Sequence, residues 1–345
     1  MKKNALIAPV LAALTLGSLV ACGNETTENK AAESTSSAAS SAASSSAAAD
    51  ANGTHEVTDA HGKHEVPNNP ERVVATDNTV MRVLEKWGVK LVAAPQKILS
   101  KNSPYKTDSS IADMGAHREP NLEAMVAANP DLVLTGKRFI EHYDAIVAAV
   151  PEAAVIDTDL KSFGENLSVE DALKKQVELL GEVFNRSNDA EALIKDFDEA
   201  KNKAVKAYDK ETKVMGLVVS GGDINYSAPS KGRGAGPFFD MIGLAPALEV
   251  EGATTDHQGD DVSVEAIAQA NPDFIIVLDR DAAVKADDPS YQPAEKLLNE
   301  AEALKNVKAI QEGKVFYLPA DFYLPEGIIS YTEILNDLAA KFSEK

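Results

Sequence analysis

Arg138 and Arg280 have the most to offer chemically, because they stand at corresponding places in an internal repeat. Residues 123–138 read EAMVAANPDLVLTGKR and residues 265–280 read EAIAQANPDFIIVLDR; the two lie 142 positions apart and share seven of 16 positions. The period exceeds the roughly 20–50 residues of a solenoid unit, so it predicts two halves with the same local architecture. Each copy reads as a helix, an Asn-Pro-Asp turn, a buried strand and an arginine just past the strand's carboxyl end. Guanidinium stays charged and presents a fixed fork of donors. One such group from each half, at the sheet edge where open α/β folds take ligands, suits an anion held in a cleft between two lobes.

The elements that must position these arginines follow from spacing. Residues 57–67 read as a short hairpin. Strands are expected at 72–76, 89–93, 132–134, 154–157, 213–220 and 315–318, alternating with helices at 80–87, 123–128, 139–150, 238–242 and 328–342. Gly88 and Gly243 are stop signals for their helices, and Gly221, Gly222 and Asp223 form a turn. Strand-then-helix alternation predicts a parallel sheet in each half. Residues 168–208 break that rhythm with two amphipathic runs, one starting at Ser168 and one capped by Asn188, which reads as a helical backbone bridging the lobes. The fold class is α/β, with two Rossmann-like lobes joined by a long bridging helix.

The ends and the charge bound what the chain can do. Lys2 and Lys3 precede an apolar run ending in Leu19, Val20, Ala21 and Cys22, so residues 1–21 read as a lipoprotein signal peptide. Cys22 is the sole cysteine; it is the expected lipidation site, and no internal disulfide is possible. Residues 22–54 are a Ser/Ala-rich tether without large apolar side chains. The body then divides into a first lobe (55–163), the bridge (164–208) and a second lobe (209–345), about 290 residues in all and enough for two lobes. No other apolar run approaches the ~20 residues of a membrane span. The net charge is −20, or −22 once the two signal lysines are removed. That argues against nucleic acid or an anionic membrane surface as partner, and an anionic ligand would need a local cationic cluster.

The body resembles the class III substrate-binding proteins of ABC importers, through residues 66–74, 121–138, 232–243, 257–280 and 314–324. Within that group it is most similar to the lipoproteins that bind iron–siderophore complexes of the catecholate, petrobactin type. The resemblance implies a protein anchored by lipid at the outer face of the cytoplasmic membrane. It would be a monomer that captures a ferric siderophore and passes it to the importer's membrane subunits. It carries no intrinsic cofactor; Fe(III) arrives as the siderophore complex. The resemblance assigns Arg233, in the glycine-rich stretch 231–236, to the ligand beside Arg138 and Arg280, with Lys231 and Lys137 as weaker neighbours. It makes His257 and Tyr323 the groups that complete the iron shell; phenolate and imidazole are both acceptable ligands for iron. The loop after the last strand is one residue shorter than in relatives, so Phe322 is the alternative occupant of the tyrosine's place. Glu123 and Glu265, one on each lobe, are implied to dock on the membrane subunits, with Glu119 as an alternative in the first lobe. Read without the resemblance, both glutamates are helix-terminus charges worth about 0.3–1 kcal/mol.

Rival readings stay open. A hydroxamate siderophore, haem or cobalamin would suit the same fold. A surface metal-dependent hydrolase would need a tight metal site, and His55, His61, His64 and His117 have spacing that could in principle hold zinc. No nucleophile elbow, phosphate loop or cysteine-based catalytic pattern is present, and the chain reads as a binder rather than an enzyme.

Overall fold

The computed structural model describes residues 53–115 and 119–344. The expected signal peptide, Cys22 and nearly all of the tether lie outside them, as does His117. Chain entry is the hairpin β1 (Thr54–Asp59) and β2 (Gly62–Pro67), closed where Asp59 pairs with Gly62. The Asp59 carboxylate ties it to the first lobe: Oδ1 accepts from His64 Nε2 at 2.7 Å, and Oδ2 accepts the Asp157 N–H at 2.8 Å.

The first lobe is an all-parallel sheet in the order β5-β4-β3-β6-β7. Its strands are β3 (Val73–Ala75), β4 (Leu91–Ala94), β5 (Ala112–Asp113), β6 (Leu132–Thr135) and β7 (Ala154–Asp157). Short apolar strands buried on both faces suit this arrangement. The second lobe is built on β8 (Lys213–Ser220), with β10 (Ala245–Pro246), β11 (Phe274–Asp279) and β12 (Val315–Tyr317) running parallel in the order β10-β8-β11-β12. It is not wholly parallel, as alternation alone predicts. Gly221 and Gly222, both at positive φ, turn the chain straight back into β9 (Asp223–Ser227), which pairs antiparallel with β8. Strand order reverses between β3 and β6 in one lobe and between β8 and β11 in the other, which are the switch points where such sheets bind ligands.

The repeat has a physical basis. Asn121 and Ser263 cap the helices Leu122–Ala128 and Val264–Ala270 by accepting a backbone N–H three residues on. Asn129 and Asn271 end them in the left-handed region, at φ 47° and 45°, which asparagine tolerates better than most residues. Asp131 then accepts the N–H groups of Glu71 and Arg72, both at 3.0 Å, and Asp273 accepts that of Lys213 at 2.8 Å. In each lobe one carboxylate pins the entry of the central strand, β3 or β8, beside the repeat strand.

The bridge is two helices, Val169–Val183 and Ser187–Ala207, one for each of the two amphipathic runs. Asn185 adopts φ 54° and ends the first run, while the Arg186 N–H returns to the Gly181 carbonyl at 2.7 Å. A β-carbon at Gly181 would press on Ala190, so this glycine lets the second helix fold back closely. Ser168 caps the first helix as the sequence suggests. Asn188 does not cap the second, which starts at Ser187 with no side-chain cap. The second helix lies along the closing helix Ile328–Ser343. One apolar core runs through both lobes and the bridge, from Leu84 and Leu134 through Leu173, Leu180 and Phe197 to Phe238 and Leu335.

Direct contacts also join the lobes. Arg82 meets Glu333 through both guanidinium ends at 2.5 and 2.7 Å, and Ser100 Oγ donates to Asp321 at 2.5 Å. Buried Gln176, from the bridge, donates to Thr79 Oγ1 and the Thr158 carbonyl, both at 2.7 Å. Gly327 backs so closely on the Thr79 carbonyl that a β-carbon there would overlap it.

At the carboxyl end of β3, Asp77 is buried, and desolvation pushes its carboxyl up to about 6 despite hydrogen bonds from Thr79 and Thr158. Thr158 Oγ1 lies 2.9 Å from both Asp77 Oδ2 and the Thr135 carbonyl. One hydroxyl proton cannot serve both, whereas a protonated Asp77 can donate to Thr158, which donates onward. The folded state therefore binds this proton more tightly than the unfolded chain. Stability from this group is full at low pH and falls as pH rises from about 4 through about 6. Asp77→Asn, which supplies the same donor without a charge, should raise Tm relative to wild type at pH 8. The gain should shrink to nothing by about pH 4, and thermal melts across that range check it.

Candidate functional site

The second lobe gathers its cations around one aromatic ring. Tyr323 follows β12 in the loop 319–327. The Arg233 guanidinium carbon lies 4.0 Å from its ring centroid and that of Arg280 lies 5.4 Å from it, distances at which a cation is attracted to the ring. Arg233 Nη2 also donates to the Tyr323 carbonyl at 2.9 Å, and Arg280 Nε to the Tyr323 hydroxyl at 3.3 Å. Tyr323 and both arginines are half-buried. The neighbouring Phe322, the alternative occupant of the tyrosine's place, is 2% exposed and packs between Phe238 and Tyr331. Phe322 is buried in the core, whereas half-buried Tyr323 packs against that core and meets the two arginines.

Each arginine is positioned by its element. Arg280 directly follows β11 and opens the short helix Arg280–Val284, beside the end of β8, where its Nη1 donates to Ser220 Oγ at 3.3 Å. Asp281, buried with its Oδ2 on the Gly222 N–H at 3.1 Å, lies 3.7 Å from the same nitrogen. Arg233 sits in a loop coiled against β9; a β-carbon at Gly232 would overlap the backbone of Ser227 and Ala228, and Ser227 Oγ holds the Arg233 carbonyl at 2.9 Å. The Glu326 carboxylate takes Arg233 Nε at 2.8 Å and Nη2 at 2.5 Å. Burial works against the Arg233 charge, but Glu326 outweighs it and holds the guanidinium above its usual range. Neither Glu326 nor Ser220 stood out in the sequence. Only the folded loop brings a residue 93 positions away onto Arg233.

The first lobe contributes across the gap. Lys137 and half-buried Arg138 follow β6 in a turn whose Gly136 is pressed on Asp77. The Lys137 side chain reaches solvent, yet its ammonium is held below the ordinary lysine range, first by the protein crowding it and then by the charge of Arg233. Glu326 acts on it in the opposite sense. Cations from the two lobes therefore share one electrostatic space.

Other expected residues lie apart. His257 is in the loop 254–260, where Asp260 pairs with Tyr226 of β9; its one charged neighbour among the described residues is Asp256, at 3.8 Å. Lys231 reaches the Ala253 carbonyl at 3.4 Å, towards that loop rather than towards Tyr323. Glu123 and Glu265 are exposed in the first turns of their helices. Those helices run antiparallel to the strands that follow, so both glutamates stand level with the carboxyl edges that carry the arginines. The hairpin histidines are engaged separately: His55 with Asn68 and the Glu182 carbonyl, His61 stacked on Tyr143 at 3.5 Å, and His64 with Asp59. Among the described residues no group of three or more His, Cys, Asp or Glu could hold a metal ion. A cavity of about 260 Å³ lies between the lobes behind the Tyr323 loop, lined by Asn78, Arg82, Glu85, Ser100, Asp321 and Glu333.

A sequence profile described as periplasmic binding protein matches residues 73–322. The petrobactin-binding protein YclQ of Bacillus subtilis is 28% identical over 342 residues, covering 98% of each chain. Its crystal structure superposes with a TM-score of 0.71 at 23% identity, over 85% of this chain and 99% of that one. The ferric-anguibactin-binding protein FatB of Vibrio anguillarum is 31% identical over 275 residues, 79% of this chain and 82% of its own. The catecholate-siderophore binding protein VctP of Vibrio cholerae superposes with a TM-score of 0.67 at 22% identity, over 83% of this chain and 99% of that one.

Removing Arg233 leaves Glu326, whose side chain is 16% exposed, without its counter-charge. Arg233→Ala should cost about 2–3 kcal/mol and lower Tm by about 5–10 °C. Arg233→Ala combined with Glu326→Gln should recover at least half of that loss. Equal melting temperatures for the single and double variants would show that the pair is not coupled.

Proposed function

The chain belongs to the periplasmic binding protein family, and from that premise we propose that it captures a ferric siderophore, of the catecholate type, outside the cytoplasmic membrane and delivers it to an ABC importer. The observation that carries this reading is Tyr323 held between Arg233 and Arg280, with Lys137 of the other lobe close enough to feel the Arg233 charge. A ferric catecholate is an anion whose oxygens accept hydrogen bonds. Arginine forks and a lysine converging from two sides match that charge and supply donors. Tyr323 offers a phenol oxygen in the same place, a hard donor suited to Fe(III). Relatives named for petrobactin and ferric anguibactin point to the same cargo class.

Three further roles complete the proposal. His257 is the second protein donor to iron; its loop has to swing the imidazole towards Tyr323 when the cargo arrives. Glu123 and Glu265, exposed and level with the cleft edge, dock on cations of the membrane subunits. Lipid on Cys22 and the 22–54 tether keep the protein, as a monomer, at the outer face of the membrane. The contacts between the lobes predict a small closing motion, so little is lost to ordering on binding.

Titration of residues 24–345 with a ferric bis-catecholate should quench protein fluorescence at sub-micromolar concentration and give a visible charge-transfer band. Tyr323→Phe should abolish or shift that band and weaken binding about tenfold or more. His257→Ala should shift it less. Quenching by ferric hydroxamate or haem alone would replace the cargo assignment. The pair Glu123→Lys and Glu265→Lys should leave solution affinity unchanged while abolishing iron uptake by cells. Unimpaired uptake would remove the docking role.

A further inference from the structure

The cationic cluster in the second lobe is nearly neutralised by its own acids. Glu326 takes two nitrogens of Arg233, and Asp281 stands 3.7 Å from Arg280 Nη1. Asp281 is 5% exposed, and its Oδ1 has no hydrogen-bond partner; it is also 3.8 Å from Lys285. Two arginines thus face two carboxylates within one lobe, and Lys137 of the other lobe feels both the Arg233 and the Glu326 charge. Of the two acids, Asp281 is the more buried at 5% exposed, whereas the Glu326 side chain is 16% exposed and its charge also reaches Lys137 of the other lobe.

Resting on the siderophore reading above, the geometry points to Glu326 as a specificity residue. It lowers the positive charge the cleft offers, so that the cleft favours a ferric complex of small negative charge over one of large negative charge. Fe(III) with three doubly charged catecholates carries a triple negative charge; with two catecholates it carries a single one. Glu326 repels both, the first three times as strongly at equal distance. It also occupies two of Arg233's donors, leaving Nη1 as the nitrogen without a partner among the described residues. A carboxylate inside an anion site is selection by repulsion, a recurrent way of building specificity. The cargo class it selects is a ferric complex with fewer than three catecholates, or one whose own ammonium groups offset part of its charge.

The test measures dissociation constants for two probes at fixed ionic strength: Fe(III) complexes of a linear bis(2,3-dihydroxybenzamide) and of a tris(2,3-dihydroxybenzamide). The ratio of the two constants is compared among wild type, Glu326→Gln and Glu326→Asp. Glu326→Gln should shift the ratio about tenfold towards the tris complex, whereas Glu326→Asp, which keeps the charge, should leave it near the wild-type value. A residue that only positions Arg233 would change both affinities together, and a ratio unmoved in Glu326→Gln overturns the inference while leaving the siderophore reading intact. Failure of wild type to bind either probe overturns that reading, and this inference with it. Should Glu326→Gln not fold, a shifted ratio in Glu326→Asp would count against the charge and an unchanged one for it.

Discussion

The loop 319–327 has to satisfy both lobes at once, and the cleft depends on how it does so. At one end Asp321 accepts a hydrogen bond from Ser100 of the first lobe, and at the other Gly327 lies against the Thr79 carbonyl with no room for a side chain. Between these anchors Phe322 is buried among Phe238 and Tyr331. With three points held, Tyr323 has one direction left, towards Arg233 and Arg280. Glu326, three residues on, falls on Arg233 for the same reason. The position of the ring, the orientation of one arginine and the charge of the second-lobe half of the cleft all follow from a single short segment clamped between two rigid bodies.

The repeat was legible because its signals are local. Asn129 and Asn271 in the left-handed region, each followed by Pro and Asp, form a turn whose chemistry sits within three residues, and the buried strands after it are continuous apolar runs. That was enough to find the lobes and two of the arginines. Where two spacings compete, sequence falls short. The choice between Phe322 and Tyr323 depends on which ring Phe238 and Tyr331 receive, a long-range packing decision. A break between two runs was read at Asn188, but its exact place was hidden, because nothing local marks Asn185 as the asparagine that adopts φ 54°. The turn at Gly221 and Gly222 was visible, but the antiparallel strand after it reads DINYS, too polar to stand out as a strand. Glu326 and Ser220 gave no signal at all, since their partners lie 93 and 60 positions away.

Charge is distributed so that the cleft works against the rest of the molecule. With 54 acids to 34 lysines and arginines, the long-range field repels an anion. Attraction has to come from groups close enough for Coulomb forces to exceed screening, within about 8–10 Å at physiological salt. A half-buried setting helps, because the effective dielectric there is lower than in water and each cation counts for more. It also costs desolvation, which the Glu326 carboxylate offsets at Arg233. The carboxylate thus has two effects with opposite sign for ligand binding: it offsets the desolvation of the guanidinium and aims it, and it cancels part of the attraction that the guanidinium would exert.

That opposition makes sense only if the two lobes keep their places. If the lobes swung apart freely, Lys137 would leave the second-lobe cluster, and an incoming anion would meet a site closer to neutral. The Arg82–Glu333 pair, the Gln176 bonds to Thr79 and Thr158, and the core shared through the bridging helices hold the lobes together at several independent points. Each is modest alone, as exposed ion pairs and single hydrogen bonds are. Acting together they keep Lys137 within reach of the Arg233 and Glu326 charges before any ligand arrives. Selectivity set by a small difference between positive and negative charge requires that the charges stay where they are, and the rigid junction between the lobes supplies that condition.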